Sequence, residues 1–264
     1  MNELQRIVAR TRVEVDQRSA RIPLGELGAS AARRLEHDPI RDFTAALEAP
    51  GLSVIAEHKR RSPSAGLIRD GLELDAVVGA YERGGAAALS VLTEPASFGG
   101  TLADLRRARS ASGLPILRKD FIVDGYQVTE SLAAGADAIL LIVAALQRSE
   151  LSELHAHARA CGLGVLVEVH DASELQVAAG VGAAVIGINN RDLTTLRVDP
   201  ARTFALLPEM PPGTVTVSES GWRTRGELER LRTAGADAVL IGEALMRSPD
   251  IEAACRALTG PTRP

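Results

Sequence analysis

Aromatic side chains, cysteines and long apolar runs are all scarce in this sequence of 264 residues. Aromatic residues make up 3% of the chain, and its two cysteines, Cys161 and Cys255, have a spacing typical of neither a metal site nor a redox pair. The longest uncharged apolar run, 138–146, is far shorter than the ~20 residues that cross a bilayer. Residues 1–12 carry charges throughout, so we expect no signal peptide, no membrane association and a cytoplasmic location.

An excess of basic residues is also missing. The formal net charge of -4 argues against a nucleic-acid-binding protein, although it leaves room for a small anionic ligand held by local charge. With 45% hydrophobic and 24% charged residues, the composition excludes a disordered chain, a collagen-like chain and a coiled coil. The chain is therefore expected to fold around an aliphatic core.

The first fifty residues differ from the rest and predict a helical extension. The first predicted helix has an apolar stripe formed by Leu4, Ile7, Val8 and Val15. Pro23 and Gly25 predict a link after it. Residues 31–47 predict further helix, broken near Pro39.

Eight short apolar runs alternate with longer, charged, helix-like stretches from residue 53 onward. The runs are Ser53–His58, Ala87–Leu92, Leu114–Lys119, Ala138–Val143, Val165–Val169, Ala184–Asn189, Thr214–Ser218 and Ala238–Gly242. Apolar strands that alternate with helices indicate a parallel sheet covered on both faces.

A Gly-Ala pair precedes every second run and recurs about every fifty residues. The pairs begin at Gly85, Gly135, Gly182 and Gly235. Fourfold recurrence of a two-strand, two-helix unit predicts an α/β fold, a single (β/α)8 TIM barrel. We expect one domain over 1–264, with 1–50 as an N-terminal helical extension and 51–264 as the barrel. A doubly wound sheet is the competing architecture, but it requires a strand-order reversal and a nucleotide loop, and the sequence indicates neither.

Polar residues at strand ends are the candidates for chemistry, because the active site of a TIM barrel lies at the carboxyl ends of its strands. Glu57 and Lys59 share a face after the first run, either as a charge pair in the barrel mouth or as a surface ion pair. Lys119 ends the third run and is either a pocket residue or exposed to solvent. Glu168 lies within a Val-rich run, so it needs a cationic partner or a raised pKa suited to proton transfer.

The last three runs end in residues that suit an anionic ligand. Asn189 and Arg191 share a face at the end of the sixth run, Ser220-Gly221 follow the seventh run, and Gly242 ends the eighth. Small residues let backbone N–H groups approach a phosphate closely, and this fold favours a phosphate at these two positions.

The remaining polar residues are weaker candidates for catalysis or ligand binding. His58 and His170 lie near glutamates and are expected to point away from them, outside the pocket. No metal-binding or phosphate-loop motif is present. The residues by themselves thus predict a barrel enzyme that uses neither metal nor cofactor and performs acid/base chemistry on a small anionic sugar phosphate.

These segments together resemble the indole-3-glycerol phosphate synthase family. The matching segments are Ile55–Ser64, Ser90–Glu94, Phe98–Gly100, Leu117–Asp124, Leu166–His170, Ile186–Leu193, Val217–Gly221 and Ile241–Met246. They cover about 50–247 in the correct order, and the N-terminal extension is also typical of the family. The resemblance implies a TIM-barrel carboxy-lyase of tryptophan biosynthesis. Such an enzyme converts 1-(2-carboxyphenylamino)-1-deoxyribulose 5-phosphate to indole-3-glycerol phosphate and releases CO2 and water.

The resemblance also implies roles for individual residues. Lys119 would be the general acid that protonates the substrate carbonyl as the ring carbon attacks it. Glu168 and Glu57 would handle proton removal and dehydration, with Lys59 as a second cation or acid. Asn189 and Glu219 would hold the hydroxyl groups and the developing intermediate.

The implied binding residues form three groups. The anionic end groups of the substrate would be served by Ser62 and Arg191. The phosphate would be cradled by Ser220, Gly221 and Gly242. The anthranilate ring would lie in a pocket lined by Pro63, Phe98, Phe121, Leu140, Leu193 and Leu240.

Two alternatives stand beside this interpretation. One is another phosphate-binding TIM-barrel enzyme of a sugar-phosphate pathway, such as the isomerase one step earlier, which relies on a Cys and an Asp. No cysteine lies at a predicted strand end. The other is a non-catalytic phosphate-binding barrel, against which the full set of charged strand-end residues argues. We expect a monomer or weak homodimer whose partner is the small anionic substrate.

Overall fold

Eight parallel strands close into a barrel in the computed structural model, which describes residues 2–69 and 71–260. The strands are β1 (Ser53–His58), β2 (Ala88–Leu92), β3 (Ile116–Lys119), β4 (Ala138–Ile142), β5 (Gly164–Val169), β6 (Val185–Asn189), β7 (Val215–Glu219) and β8 (Ala238–Ile241). They pair in chain order, and β8 pairs back with β1. All eight predicted strands are confirmed to within two residues at each end, and the closed order excludes the doubly wound sheet.

Three helices precede the barrel: α1 (Glu3–Arg21), α2 (Leu24–His37) and α3 (Phe43–Leu47). The predicted break near Pro39 is confirmed, because α2 ends at His37. The predicted link is confirmed at Pro23 but does not extend to Gly25, because α2 begins at Leu24, directly after the extended Pro23 that serves as its N-cap. Gly25 therefore lies in the first turn, and the buried Leu27 and Ala31 hold that helix against the rest of the fold despite the glycine.

Helices also follow the strands and cover the outside of the barrel. They are α4 (Leu74–Arg83), α5 (Pro95–Phe98), α6 (Leu102–Ala111), α7 (Gly125–Ala133), α8 (Arg148–Ala160), α9 (Ala172–Gly180), α10 (Ala201–Leu206), α11 (Arg225–Thr233), α12 (Glu243–Met246) and α13 (Ile251–Thr259). A short hairpin, Arg61–Ser62 with Gly66–Leu67, lies in the loop after β1. No helix within the described ranges is long and apolar enough to span a membrane.

The barrel interior is filled by aliphatic side chains that point inward from the strands, as the fold requires. Ile55, Leu117 and Leu166 are fully buried there, and Phe43 and Leu47 of α3 belong to the same cluster. A second apolar layer separates the strands from the outer helices. The rigid interior leaves the strand ends as the place where polar groups can converge.

The recurring Gly-Ala pairs lie where helices end and even-numbered strands begin. Their glycines have φ values of 86°, 97°, 69° and 99°, the left-handed region that glycine adopts at little cost, which confirms their predicted place as helix stops. Two pairs are followed by aspartate. The carboxylate of Asp137 accepts the backbone N–H of Ile116 at 2.8 Å, and that of Asp237 accepts the N–H of Thr216 at 2.8 Å. Each aspartate thereby fixes the beginning of the preceding strand.

Asp137 also holds the N-terminal extension to the barrel. Its carboxylate is fully buried, accepts Nη1 of Arg109 at 2.7 Å and accepts the backbone N–H of Arg41 at 2.8 Å. Arg34 of α2 lies 3.5 Å away. This ion cluster lies at the amino-terminal end of the strands, opposite the polar strand ends.

Candidate active site

The predicted site residues converge at the carboxyl end of the barrel. A cavity of about 360 Å³ is lined by all six predicted catalytic side chains: Glu57, Lys59, Lys119, Glu168, Asn189 and Glu219. The same cavity is lined by nine of the predicted binding residues: Phe98, Phe121, Leu140, Arg191, Leu193, Ser220, Gly221, Leu240 and Gly242. The other two, Ser62 and Pro63, line an adjoining cavity of about 80 Å³ that shares Lys59 and Arg191 with the first.

Glu57 and Lys59 form a buried ion pair at the end of β1. Their Oε1 and Nζ atoms are 2.6 Å apart, and Glu57 is 3% exposed, so the pair lies in the barrel mouth rather than on the surface. Burial alone would raise the pKa of Glu57, but Lys59 and Lys119 outweigh it and keep that pKa below its ordinary value. Glu57 therefore stays ionised at neutral pH.

Gly242 provides the room for that carboxylate. A Cβ atom on Gly242 would lie 2.4 Å from Oε1 of Glu57, which is closer than any real contact. Gly187 of β6 does the same for Glu219, since its Cβ would lie 2.3 Å from Oε1. The sequence predicted Gly242 as a phosphate residue and did not indicate Gly187, because the need for space depends on the neighbouring strand.

Lys119 bridges two further carboxylates. Its Nζ lies 3.4 Å from Oε2 of Glu168 and 3.3 Å from Oε2 of Glu219. Burial would lower the pKa of Lys119, but Glu219 and Glu168 outweigh it and raise that pKa well above the ordinary value. Lys119 is thus a protonated pocket residue rather than a solvent-exposed one. It can act as a proton donor, whereas a free amine nucleophile is disfavoured.

The two carboxylates beside Lys119 differ in proton affinity. Burial would raise the pKa of Glu168, but Lys119 and His170 lower it to about 2. Burial raises the pKa of Glu219 to about 7, because Lys119 offsets only part of it and Glu168 adds like charge. Of the two possibilities that the sequence left for Glu168, the structure therefore shows the cationic partner. Groups whose pKa values are pushed apart can serve as a base and an acid at one pH.

His170 is in contact with Glu168, so the prediction that it points away is wrong. Its Nε2 lies 3.4 Å from Oε1 of Glu168, and its Nδ1 lies 3.0 Å from Oε2 of Glu174. The physical reason is strand alternation, since His170 comes two positions after Glu168 and shares its face. His58, directly after Glu57, does lie outside the cavity as predicted, and burial lowers its pKa to about 4.

The turn after β7 has the geometry of an anion cradle. Ser220 and Gly221 have φ values of 68° and 95°, and for a non-glycine residue such as Ser220 this conformation costs about 1–2 kcal/mol. The side chain of Asn190 holds the turn, because its Nδ2 donates to the carbonyl oxygen of Ser220 at 3.0 Å. The Oδ1 of Asn190 in turn accepts the hydroxyl of Thr203 at 2.8 Å. Backbone N–H groups in such a turn can bind an anion.

Trp222 and Arg223 follow the turn and line the cavity. The indole Nε1 of Trp222 donates to Oγ of Ser218 at 3.0 Å, which ties the far side of the turn to β7. The sequence did not indicate Arg223, although a basic residue beside a predicted phosphate turn is a usable signal.

An apolar wall faces the charged residues across the cavity. The rings of Phe98 and Phe121 have centroids 6.4 Å apart and an interplanar angle of 36°. Leu140, Leu193 and Leu240 complete this side. A planar aromatic group fits such a wall, while the ionised groups opposite can bind polar substituents.

The sequence and the fold of this chain are similar to those of known proteins. The family model described as indole-3-glycerol phosphate synthase matches residues 4–258. A protein from Streptomyces coelicolor named indole-3-glycerol phosphate synthase 2 is 49% identical over 90% of both chains. A protein from Nocardioides sp. named indole-3-glycerol phosphate synthase is 48% identical over 98% of this chain and 99% of its own. Among solved structures, 3-hexulose-6-phosphate synthase from Salmonella typhimurium has a TM-score of 0.64 at 13% identity. That match covers 79% of this chain and 97% of the other, and it supports the fold alone.

Proposed function

The chain belongs to the indole-3-glycerol phosphate synthase family, and we propose that the six converging residues carry out the family's reaction in the roles given below. The family's enzymes are lyases of tryptophan biosynthesis that close an indole ring with loss of CO2 and water. The substrate is a phosphorylated small molecule that carries an aromatic carboxylate. The cavity suits it, because an aromatic wall, a cationic centre and an anion turn meet in one space.

Lys119 is proposed as the general acid. It is held protonated between Glu168 and Glu219, so it can deliver a proton to the substrate carbonyl oxygen when the ring carbon attacks. Glu168 stays ionised and would accept the C–H proton that leaves the former ribulose CH2 carbon when water is eliminated, whereas loss of CO2, and of no proton, restores the aromatic ring. Glu219, whose pKa is about 7, would hold a substrate hydroxyl together with Asn189.

Glu57 and Lys59 are proposed to act on the dehydration step from the end of β1. Their 2.6 Å contact places an ionised carboxylate beside an ammonium donor, the pair that removal of water needs. Arg191 would bind the substrate carboxylate next to the apolar wall, with Ser62 nearby in the adjoining cavity. Partial desolvation of that carboxylate against the Phe98–Phe121 wall would favour release of CO2.

The phosphate is proposed to lie on the turn of Ser220 and Gly221. Gly242 supports this end of the cavity as well as making room for Glu57. The basic Arg223 lies on the same side and would add charge to the backbone donors.

The observation that carries the proposal is the placement of lysine. The chain has 30 lysine and arginine residues, and the two that are lysines, Lys59 and Lys119, both line this cavity. Arginine supplies charge everywhere else, but its guanidinium does not release a proton in proteins. An amine at both cavity positions is what proton transfer requires.

The test compares Lys119→Arg with Lys119→Met on the ribulose substrate, with indole fluorescence as the readout. We expect both to lose about 10²–10⁴-fold in kcat, since general acid catalysis contributes that much and neither side chain can donate the proton. The exposed Arg6→Lys exchange on α1 is the control and should leave kcat unchanged. Turnover within tenfold of wild type in Lys119→Met would falsify the assignment.

The same assay separates the alternatives. Cys161 lies at the end of α8 and Cys255 lies in α13, and neither lines the cavity, which argues against an isomerase that uses a cysteine. Isomerase activity on the preceding pathway intermediate, without indole formation, would support that alternative. Substrate binding without turnover would support the non-catalytic barrel.

We also propose that 1–264 form one domain and that the protein works in the cytoplasm as a monomer or weak homodimer. Support for the single domain comes from the ion cluster of Asp137 with Arg34, Arg41 and Arg109, which joins the extension to the barrel. Light scattering over a concentration series tests the oligomeric state, and a stable trimer or larger assembly would contradict it.

A further inference from the structure

Glu168 and Glu219 share one ammonium group but have unlike surroundings. Lys119 contacts Oε2 of each at 3.4 and 3.3 Å, and both side chains are 1% exposed. Two buried carboxylates beside one cation tend to retain a proton between them. Which of the two carries that proton decides which one is available as a base.

The difference between the two carboxylates is His170. Its Nε2 faces Oε1 of Glu168, the oxygen that is not in contact with Lys119, at 3.4 Å. Glu174, in the first turn of α9, holds the ring from the other side at 3.0 Å, and it also accepts the backbone N–H of His170 at 2.7 Å. Both side-chain oxygens of Glu219 and Nε2 of His170 are buried and without a hydrogen-bond partner among the described residues, so His170 acts on Glu168 as a nearby charge rather than through a hydrogen bond.

We propose that His170, held by Glu174, is a positioning residue that orients the carboxylate of Glu168 and, as its second cation, leaves the shared proton on Glu219. His170 does not line the cavity, so it acts on the substrate only through Glu168. The inference rests on the proposed role of Glu168 as the base.

The charges around the ring support this arrangement. Burial would lower the pKa of His170, but Glu168 and Glu174 outweigh it and raise that pKa to about 10, so the ring is an imidazolium at neutral pH. The other titratable, charged and amide groups that line the cavity around the carboxylate pair are Glu57, Lys59, Lys119, Asp120, Asn189, Arg191, Arg223 and Glu243. Asp171 adds a further negative charge next to His170. Among the described residues, Lys119 contacts both carboxylates of the pair, whereas the imidazolium of His170 contacts Glu168 and not Glu219.

Removal of the imidazolium should therefore lower kcat by a factor that depends on pH. In His170→Asn the proton would divide between Glu168 and Glu219 near neutral pH, and both carboxylates would ionise at higher pH. An opposite charge at this range shifts a carboxyl pKa by about 1–3 units. We expect kcat to fall about tenfold at pH 6.5 but less than about threefold at pH 9, with KM within about twofold of wild type.

The test measures kcat and KM from pH 6 to 9 for wild type, His170→Asn and Glu174→Gln. His37→Asn, at the exposed end of α2, is the matched control and should behave as wild type throughout. Glu174→Gln should show a smaller loss with the same pH dependence, and it keeps the experiment decisive if His170→Asn does not fold. A loss of equal size at all pH values would indicate a purely structural role and overturn the proposal.

Nitrogen NMR of the histidine rings measures the protonation state of His170 directly, so this part of the test does not depend on enzyme activity. At pH 8 the ring of His170 should carry both protons in the wild-type protein. A neutral His170 at pH 8 overturns the inference even if the wild-type enzyme turns over normally. Absence of wild-type turnover together with a charged His170 would instead count against the proposed function.

Discussion

Replacing Gly242 with alanine would place a methyl group where the carboxylate of Glu57 now lies. The added Cβ would be 2.4 Å from Oε1 and 3.0 Å from Cβ of Glu57, whereas non-bonded carbon contacts are comfortable at about 3.5–4.0 Å. The carboxylate must therefore move by about 1 Å, away from a position where it contacts Lys59 at 2.6 Å. A misplacement of about 1 Å in a catalytic constellation costs about 10²-fold, so we expect kcat to fall about a hundredfold.

The assay is steady-state formation of the indole product together with thermal unfolding. Forcing an extra methyl into a packed site costs about 1–3 kcal/mol, so the melting temperature should fall by a few degrees only, and the variant stays folded at 25 °C, about the usual assay temperature. Gly226→Ala is the matched control, because a Cβ on Gly226 in α11 meets nothing within 4 Å. A kcat within threefold of wild type would refute the steric argument, and a change confined to KM would assign Gly242 to phosphate binding alone.

Two further substitutions test the ends of the barrel. Asp137→Asn removes a buried charge from the guanidinium of Arg109, and breaking a buried ion pair costs about 3–5 kcal/mol, so the melting temperature should fall by roughly 10 °C. A fall of less than about 2 °C in thermal denaturation would contradict this assignment. Asn190→Ala releases the carbonyl oxygen of Ser220 and loosens the anion turn, so KM and the inhibition constant of inorganic phosphate should each rise about tenfold with kcat nearly unchanged. Equal phosphate inhibition of both proteins would show that the turn keeps its shape without Asn190.

The barrel was predictable because its signals are local and repeated. Each strand is a short apolar run, and the glycines at 85, 135, 182 and 235 end helices in a conformation that other residues avoid. The N-terminal extension was less predictable. Gly25 predicts a break in the helix, but packing of Leu27 and Ala31 keeps the first turn of α2 helical. Tertiary contacts of this kind leave no local signal.

Strand alternation and strand ends were enough to predict which residues belong to the site. The same rule, applied to His170, gives the contact that the structure shows. Its two-residue spacing from Glu168 predicts a shared face, so the contact was accessible to the sequence even though the opposite orientation was expected. The space that Gly187 makes for Glu219 was not accessible, because it depends on how β6 is placed beside β7. The division of protons between Glu168 and Glu219 likewise depends on three-dimensional distances.

Asp137 and Asp237, the two aspartates that fix where a strand begins, occupy equivalent positions in the two halves of the barrel. Ile116 and Thr216 are one hundred positions apart, and so are Asp137 and Asp237. Each half of the barrel, β1–β4 and β5–β8, therefore carries the same kind of aspartate contact. Both contacts lie at the amino-terminal end of the strands, away from the proposed catalytic residues at the carboxyl end. The contacts that set where β3 and β7 begin are therefore separate from the residues that would perform the chemistry.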